Sequence, residues 1–194
     1  VDLGFVKFEL LASQIQAINP LLIMLFIPLF TYFLYPQINK FFKMTALRKI
    51  TIGVLFAGFS FVIVAVAETS ILAGGKPSIV WQFWAYVILT AAEVMVSITG
   101  LEFSYTQSPN SMKSFIMGLW FLGVSLGNGI TALVNTIIVN PDGSLKLTGS
   151  EYFWFFAILM FATAVAFLFV AIRYKVESYI QTRDSLPDPL LVEN

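Results

Sequence analysis

Glu93 stands at the centre of an apolar stretch, residues 79–106, and has the clearest capacity for chemistry in this sequence. A carboxylate at mid-membrane depth costs at least ~2.5 kcal/mol by insertion scales, so its retention there asks for a use. Ionised, it would pair strongly with a substrate ammonium group. Withdrawn from water, a carboxylate can also exchange protons in a useful pH range. The plain alternative is a protonated or paired Glu that only holds helices together. Ser97 follows four residues later on the same helical face, where its hydroxyl can bond a substrate or turn back onto its own helix. Glu102 lies nine residues from Glu93. On a straight helix that is about 180° around and ~13 Å along, too far for a close carboxylate pair, so Glu102 reads as a packing or gating contact.

Two further side chains qualify. Asn19 precedes Pro20 within the stretch 13–36. The proline removes a helix hydrogen bond, and the amide either patches that kink or offers a donor and an acceptor to a ligand. Trp120, in the stretch 114–139, reads on its own as a residue of the interfacial aromatic belt. Glu68, Glu151, Lys76 and Lys146 lie near the ends of apolar stretches and read as solvated charges.

Composition names the solvent that these residues work in. The 194 residues are 58% hydrophobic and 11% charged, with a mean hydropathy of +0.85. Soluble domains are about half apolar and about a quarter charged, so this chain cannot solvate a water-facing exterior. Formal net charge is zero, which leaves no field to draw nucleic acid. Histidine and cysteine are both absent. That removes disulfides, thiol catalysis, histidine-containing triads and most zinc sites, and leaves proton chemistry near neutral pH to carboxylates. No metal site is expected. No signal peptide precedes the first apolar stretch, and a start at Val1 suggests a fragment or processed chain.

Five apolar stretches must position these groups: 13–36, 50–73, 79–106, 114–139 and 151–174. Each reaches ~36–42 Å as a helix, enough to cross ~30 Å of hydrocarbon with some tilt. The breaks read NKFFKMTALRK, GGKPS, QSPNSMK and VNPDGSLKLTGS, the last containing the turn signal Asn140-Pro141-Asp142-Gly143. Residues 1–12 read as an extracellular loop, 13–175 as a transmembrane bundle and 176–194 as a cytoplasmic tail that frays. Lys40, Lys43, Arg48, Lys49, Lys113, Arg173, Lys175 and Arg183 fall on one side, against Lys7, Lys76 and Lys146 on the other. That bias puts the N-terminus outside and the C-terminus in the cytoplasm, as five crossings require. Pro20 and Pro28 each interrupt the first helix, and Gly123 and Gly127 form a small-xxx-small pair suited to ordinary close helix packing.

Two runs are more specific. EVMVSITGLEFSYTQSPNSMKS, from Glu93 to Ser114, closely resembles the tenth helix and following loop of the proton-dependent oligopeptide transporter family. SQIQAINPLLIMLFIPLFTYFLYP, from Ser13 to Pro36, resembles that family's eighth helix. The resemblance spans residues 10–175 and implies an all-α membrane protein of the major facilitator fold. The five helices would be the eighth to twelfth, most of the C-terminal six-helix bundle. It further implies that Glu93 binds the terminal amine of a peptide, with Asn19 nearby from the eighth helix. Trp120 matches a pocket tryptophan of the eleventh helix, and Ser97 matches a pocket-facing position less securely. The short GGKPS connection lacks the extracellular insert of animal members and suggests a bacterial inner-membrane protein. The family's E-x-x-E-R proton-coupling motif does not occur here.

These readings converge on a proton-coupled symporter that imports di- and tripeptides by alternating access, with the proton as coupling ion and no other cofactor. It makes and breaks no covalent bond in its substrate, so it is not an enzyme. The expected partners are small peptides, the lipid bilayer, and the N-terminal bundle and seventh helix of the same transporter. Without those, the 194 residues are expected to be inactive. The rivals are a carrier of nitrate or another non-peptide solute, and a structural or assembly subunit whose polar residues only join helices.

Overall fold

The structure, a computed structural model, describes residues 17–138, 146–147 and 149–175. The predicted outer loop 1–12, the first residues of the stretch 13–36, the Asn140-Pro141-Asp142-Gly143 turn and the tail 176–194 lie outside the described residues. Five membrane-length helices are present among them: α1 Ile18–Asn39, α2 Ala46–Leu72, α3 Val80–Thr106, α4 Lys113–Ile138 and α5 Ser150–Arg173. The all-α reading holds.

Local chemistry explains where each helix bends or begins. Pro28 lies inside α1, and a π-helical segment, Leu29–Leu34, follows it directly. The Tyr35 N–H reaches back five residues to the Phe30 carbonyl, the wider turn that accommodates the interrupted ladder. The helix then runs past Pro36 to Asn39, beyond its predicted end. Pro20 sits in the first turn of the described helix, where an N–H has no intrahelical acceptor, so it breaks nothing there. α2 begins four residues before its predicted start, after the extended residue Thr45 (φ −73°, ψ 160°). Arg48 and Lys49, expected in the break, therefore belong to the first turn. Arg48 donates to the Lys43 carbonyl at 2.8 Å and stacks 4.4 Å over Phe42, while the Lys49 ammonium lies 3.9 Å over the Tyr35 ring. Both snorkel, covering apolar surface while keeping the charge at a helix end.

Lipid tails are as apolar as leucine, so these helices associate through close packing more than through hydrophobicity. α3 is the hub. α1 lies along its first half, α2 along most of its length, and α4 against its second half, while α5 packs on α2. Where α1 meets α3, Phe26, Phe30, Met44, Ala91, Val94 and Met95 form the buried core. Small residues allow the remaining approaches. A Cβ on Gly53 of α2 would fall 2.7 Å from the Val96 side chain and 3.2 Å from the Ala92 carbonyl oxygen of α3. On the opposite face of α2, Gly58 gives the same room to Phe161 of α5, and Phe61 stacks on Phe156 with ring centroids 5.8 Å apart.

α4 departs from expectation. Gly118, Gly123, Gly127 and Gly129 all face open space among the described residues, so the Gly123–Gly127 pair packs against no helix there. The spacing reports only that a close approach is possible; contact needs a partner surface.

Candidate substrate-binding surface

Glu93, the first candidate from the sequence, closes the first part of α3. Val80–Glu93 is α-helical, Val94–Ile98 is π-helical, and α-helix resumes at Thr99. Such single wide turns recur at functional sites because they aim one side chain out of the regular ridge. Glu93 is exposed on this helix although the residues on both sides of it are buried. Its Oε2 accepts a hydrogen bond from Asn19 Nδ2 of α1 at 3.2 Å. The Oδ1 of the same amide accepts a 2.6 Å hydrogen bond from the Thr90 hydroxyl. Among the described residues no Lys or Arg pairs with Glu93. A carboxylate so placed has one neutral donor and room for a cation.

The structure thus brings Asn19 to Glu93, and the amide is committed to that contact instead of to patching a proline kink. Ser97 lies inside the π turn, exposed, and its hydroxyl makes no hydrogen bond among the described residues. The back-bond onto its own helix is not made. The π turn also changes the spacing of the two acids. Its extra residue absorbs about 100° of rotation, so Glu102 lies roughly 80° around from Glu93 and not about 180° as on a straight helix. No hydrogen bond joins the two.

Trp120 is half-buried and its indole rests on Gly100 of α3. A Cβ at Gly100 would come within 2.6 Å of the ring Cη2, so only glycine admits the ring in this position. Gly100 is seven residues beyond Glu93, ~10 Å along the helix. Trp120 therefore joins the same helix as Glu93 without touching it. Thr90 was not anticipated, although its place three residues before Glu93 puts it on the same helical face. A cavity of about 450 Å³ lies elsewhere, lined by Phe61, Glu68, Trp81, Gln82, Tyr86 and others at the junction of α2, α3 and α5. It contains none of the predicted site residues.

Comparison with known proteins bears on the family and the fold. The profile of the POT family matches residues 1–155. Peptide transporter PTR2 of Saccharomyces cerevisiae is 32% identical over 148 residues, covering 70% of this chain and 25% of the relative. Peptide transporter family 1 of Drosophila melanogaster is 39% identical over 120 residues, 61% of this chain and 15% of the relative. A crystal structure of an auto-inhibited POT family peptide transporter superposes with a TM-score of 0.82 at 34% identity, covering 91% of this chain and 36% of that one. The chain spans about a quarter or less of the length of these curated relatives. With a family profile over most of its residues and the same helical arrangement in a solved relative, the chain belongs to the POT family.

Proposed function

We propose that these residues supply the eighth to twelfth helices of a proton-coupled symporter that imports di- and tripeptides, with Glu93 receiving the terminal ammonium group of the peptide. The observation that carries this reading is the Glu93 carboxylate itself. It is exposed on the hub helix and held by a neutral amide, with no cation against it among the described residues. The relatives named as peptide transporters support the substrate class.

In this mechanism the two bundles rock against each other around a midplane site. A peptide ammonium pairs with Glu93, Ser97 offers a free hydroxyl, and Trp120 supplies a rigid apolar wall further along α3. The proton is the coupling ion, and within these 194 residues, which hold no histidine, carboxylates are the groups that could exchange it. No other cofactor takes part and no covalent bond changes. The bundle sits in the plasma membrane, with the N-terminus of this chain outside and its C-terminus in the cytoplasm. The short connection between α2 and α3 favours a bacterial inner membrane, while the relatives named above come from a yeast and a fly. The N-terminal bundle and seventh helix complete the transporter. The 194 residues alone are therefore expected to insert into liposomes without pH-driven dipeptide uptake, and robust uptake by the purified chain would contradict this.

A second reading has its own observation: the Asn19–Glu93 bond joins α1 to α3, as interhelical glue would. Glu93→Gln in the complete transporter separates the two, because it keeps size and hydrogen bonding but removes the charge. A charge-assisted contact to the amine predicts a loss of at least about tenfold in affinity for dipeptides with a free amine. N-acetylated analogues should lose little. Equal losses for the two ligand types would leave Glu93 as glue.

A further inference from the structure

We propose that Thr90 is a positioning residue: it fixes which way round the Asn19 amide stands, so that Asn19 presents Nδ2 and not Oδ1 to Glu93. This inference rests on the reading of Glu93 as the receiver of the substrate amine. The two ends of an asparagine amide are nearly the same size, and the terminal torsion is broad and close to two-fold. Shape alone therefore does not choose between them. Electrostatics does, because the turned amide would set its carbonyl oxygen against a carboxylate oxygen. Something must hold the favourable orientation while substrates and protons change the charge beside it.

Thr90 meets the requirements. Its side chain is fully buried, with 0% of its surface exposed, so its hydroxyl proton needs an acceptor within the protein. Threonines in helices commonly give that proton to their own backbone one turn earlier. Thr51 and Thr69 do so, donating to the Leu47 and Ala65 carbonyls at 2.9 and 2.8 Å. Thr90 instead donates across to Asn19 Oδ1 at 2.6 Å, on a residue 71 positions away. With Oδ1 occupied by a donor, the amide hydrogens can only point the other way, towards Glu93 Oε2 at 3.2 Å. The result is a directional chain, Thr90 to Asn19 to Glu93, in which each hydrogen bond polarises the next. It occupies one carboxylate oxygen and leaves the other, Oε1, without a donor among the described residues. That free oxygen is where an ammonium group would bind.

The test measures binding of dialanine and of N-acetyl-dialanine to the complete transporter in detergent. Thr90→Val keeps the shape of the side chain and removes the donor. It should weaken dialanine binding roughly two- to tenfold, the range of one net hydrogen bond. N-acetyl-dialanine binding should stay unchanged, and Thr90→Ser should bind like the parent. Because Thr90 acts through Asn19, the loss caused by Thr90→Val should vanish in an Asn19→Ala background. An equal loss in that background would assign Thr90 to packing alone and overturn the proposal. So would parent-like dialanine affinity in Thr90→Val while Glu93→Gln binds weakly; in that case the reading of Glu93 survives and the positioning role does not. Unchanged dialanine affinity in Glu93→Gln overturns both. Should Thr90→Val not fold, Thr90→Ala compared with Thr90→Ser decides the matter by the same criteria.

Discussion

α3 and α4 are consecutive helices of 27 and 26 residues, each apolar enough to cross a membrane, yet they stand in opposite circumstances. In α3, 44% of the apolar window is buried; in α4, 6% is. Length and apolar content do not account for this. α3 offers small or slender side chains on several faces, among them Ala91, Ala92, Val94 and Gly100, and α1, α2 and Trp120 of α4 come in against them. α4 offers four glycines, and among the described residues none of them has a neighbour. A small-residue face is thus a capacity for contact, and contact follows only where a second surface of matching shape exists. The polar consequence is just as uneven. Packing around α3 forces Thr90 to find a partner and draws Asn19 to Glu93, whereas along α4 Thr131 and Thr136 bond back to the Gly127 and Ala132 carbonyls of their own helix. Near the end of α4, Asn135 does accept a hydrogen bond from Tyr152 of α5.

Substitutions of glycine can break or sharpen this contrast. The largest effect is expected at Gly53, where α2 packs tightly against Val96, Met95 and the Ala92 carbonyl of α3. Gly53→Leu must push the helices apart against Val96, Met95 and a backbone carbonyl. A loss of about 3 kcal/mol is expected, read as a lower midpoint of thermal unfolding of the complete transporter in detergent. A midpoint equal to that of the parent would mean that α3 is no tighter a hub than α4.

Gly100→Ala should cost about 1 kcal/mol, because the obstacle is the far edge of the Trp120 ring, which can swing aside. Its sharper consequence is functional. Displacing the indole should weaken dipeptide binding severalfold, as Trp120→Ala should. If Trp120→Ala left competition by a panel of dipeptides unchanged, Trp120 would belong to the interfacial belt and α4 would contribute no wall to the site.

The smallest effect is expected at Gly123. In the 194-residue chain Gly123→Ala meets open space, and alanine is favoured over glycine in a helix interior by up to about 1 kcal/mol. A slightly raised unfolding midpoint is therefore expected. The same substitution in the complete transporter supplies the complementary measurement. A loss of about 1–3 kcal/mol there would show that another element covers this face.

Several of the candidate residues were visible in the sequence itself. Glu93 announced itself because a carboxylate inside a long apolar run is expensive, Ser97 followed on the same helical face, and Asn19 was a polar group in another run that only the family resemblance put near Glu93. Thr90 was legible only in part. Its three-residue spacing from Glu93 marks a shared face, but nothing in a periodic pattern says whether a threonine bonds to its own helix or to another. The angle between Glu93 and Glu102 was misjudged on a straight helix for a related reason. No proline or glycine pair marks Val94–Ile98 as a π turn, as Pro28 marks the one in α1.

The sequence by itself determined the membrane as solvent, the five apolar helices and the isolation of one carboxylate among them. Those properties follow from composition and from periodicity within a helix, which depend on neighbours a few residues apart. Only the tertiary structure decided that Thr90 turns Asn19 towards Glu93, that Trp120 rests on Gly100, and that the glycines of α4 face open space among the described residues. The bonds on Asn19 join residues 71 and 74 positions apart. Whether such groups meet depends on how close two helices can pack and on which of them turns a given face to the other. That is fixed by the shapes of many side chains together and is encoded at no single position.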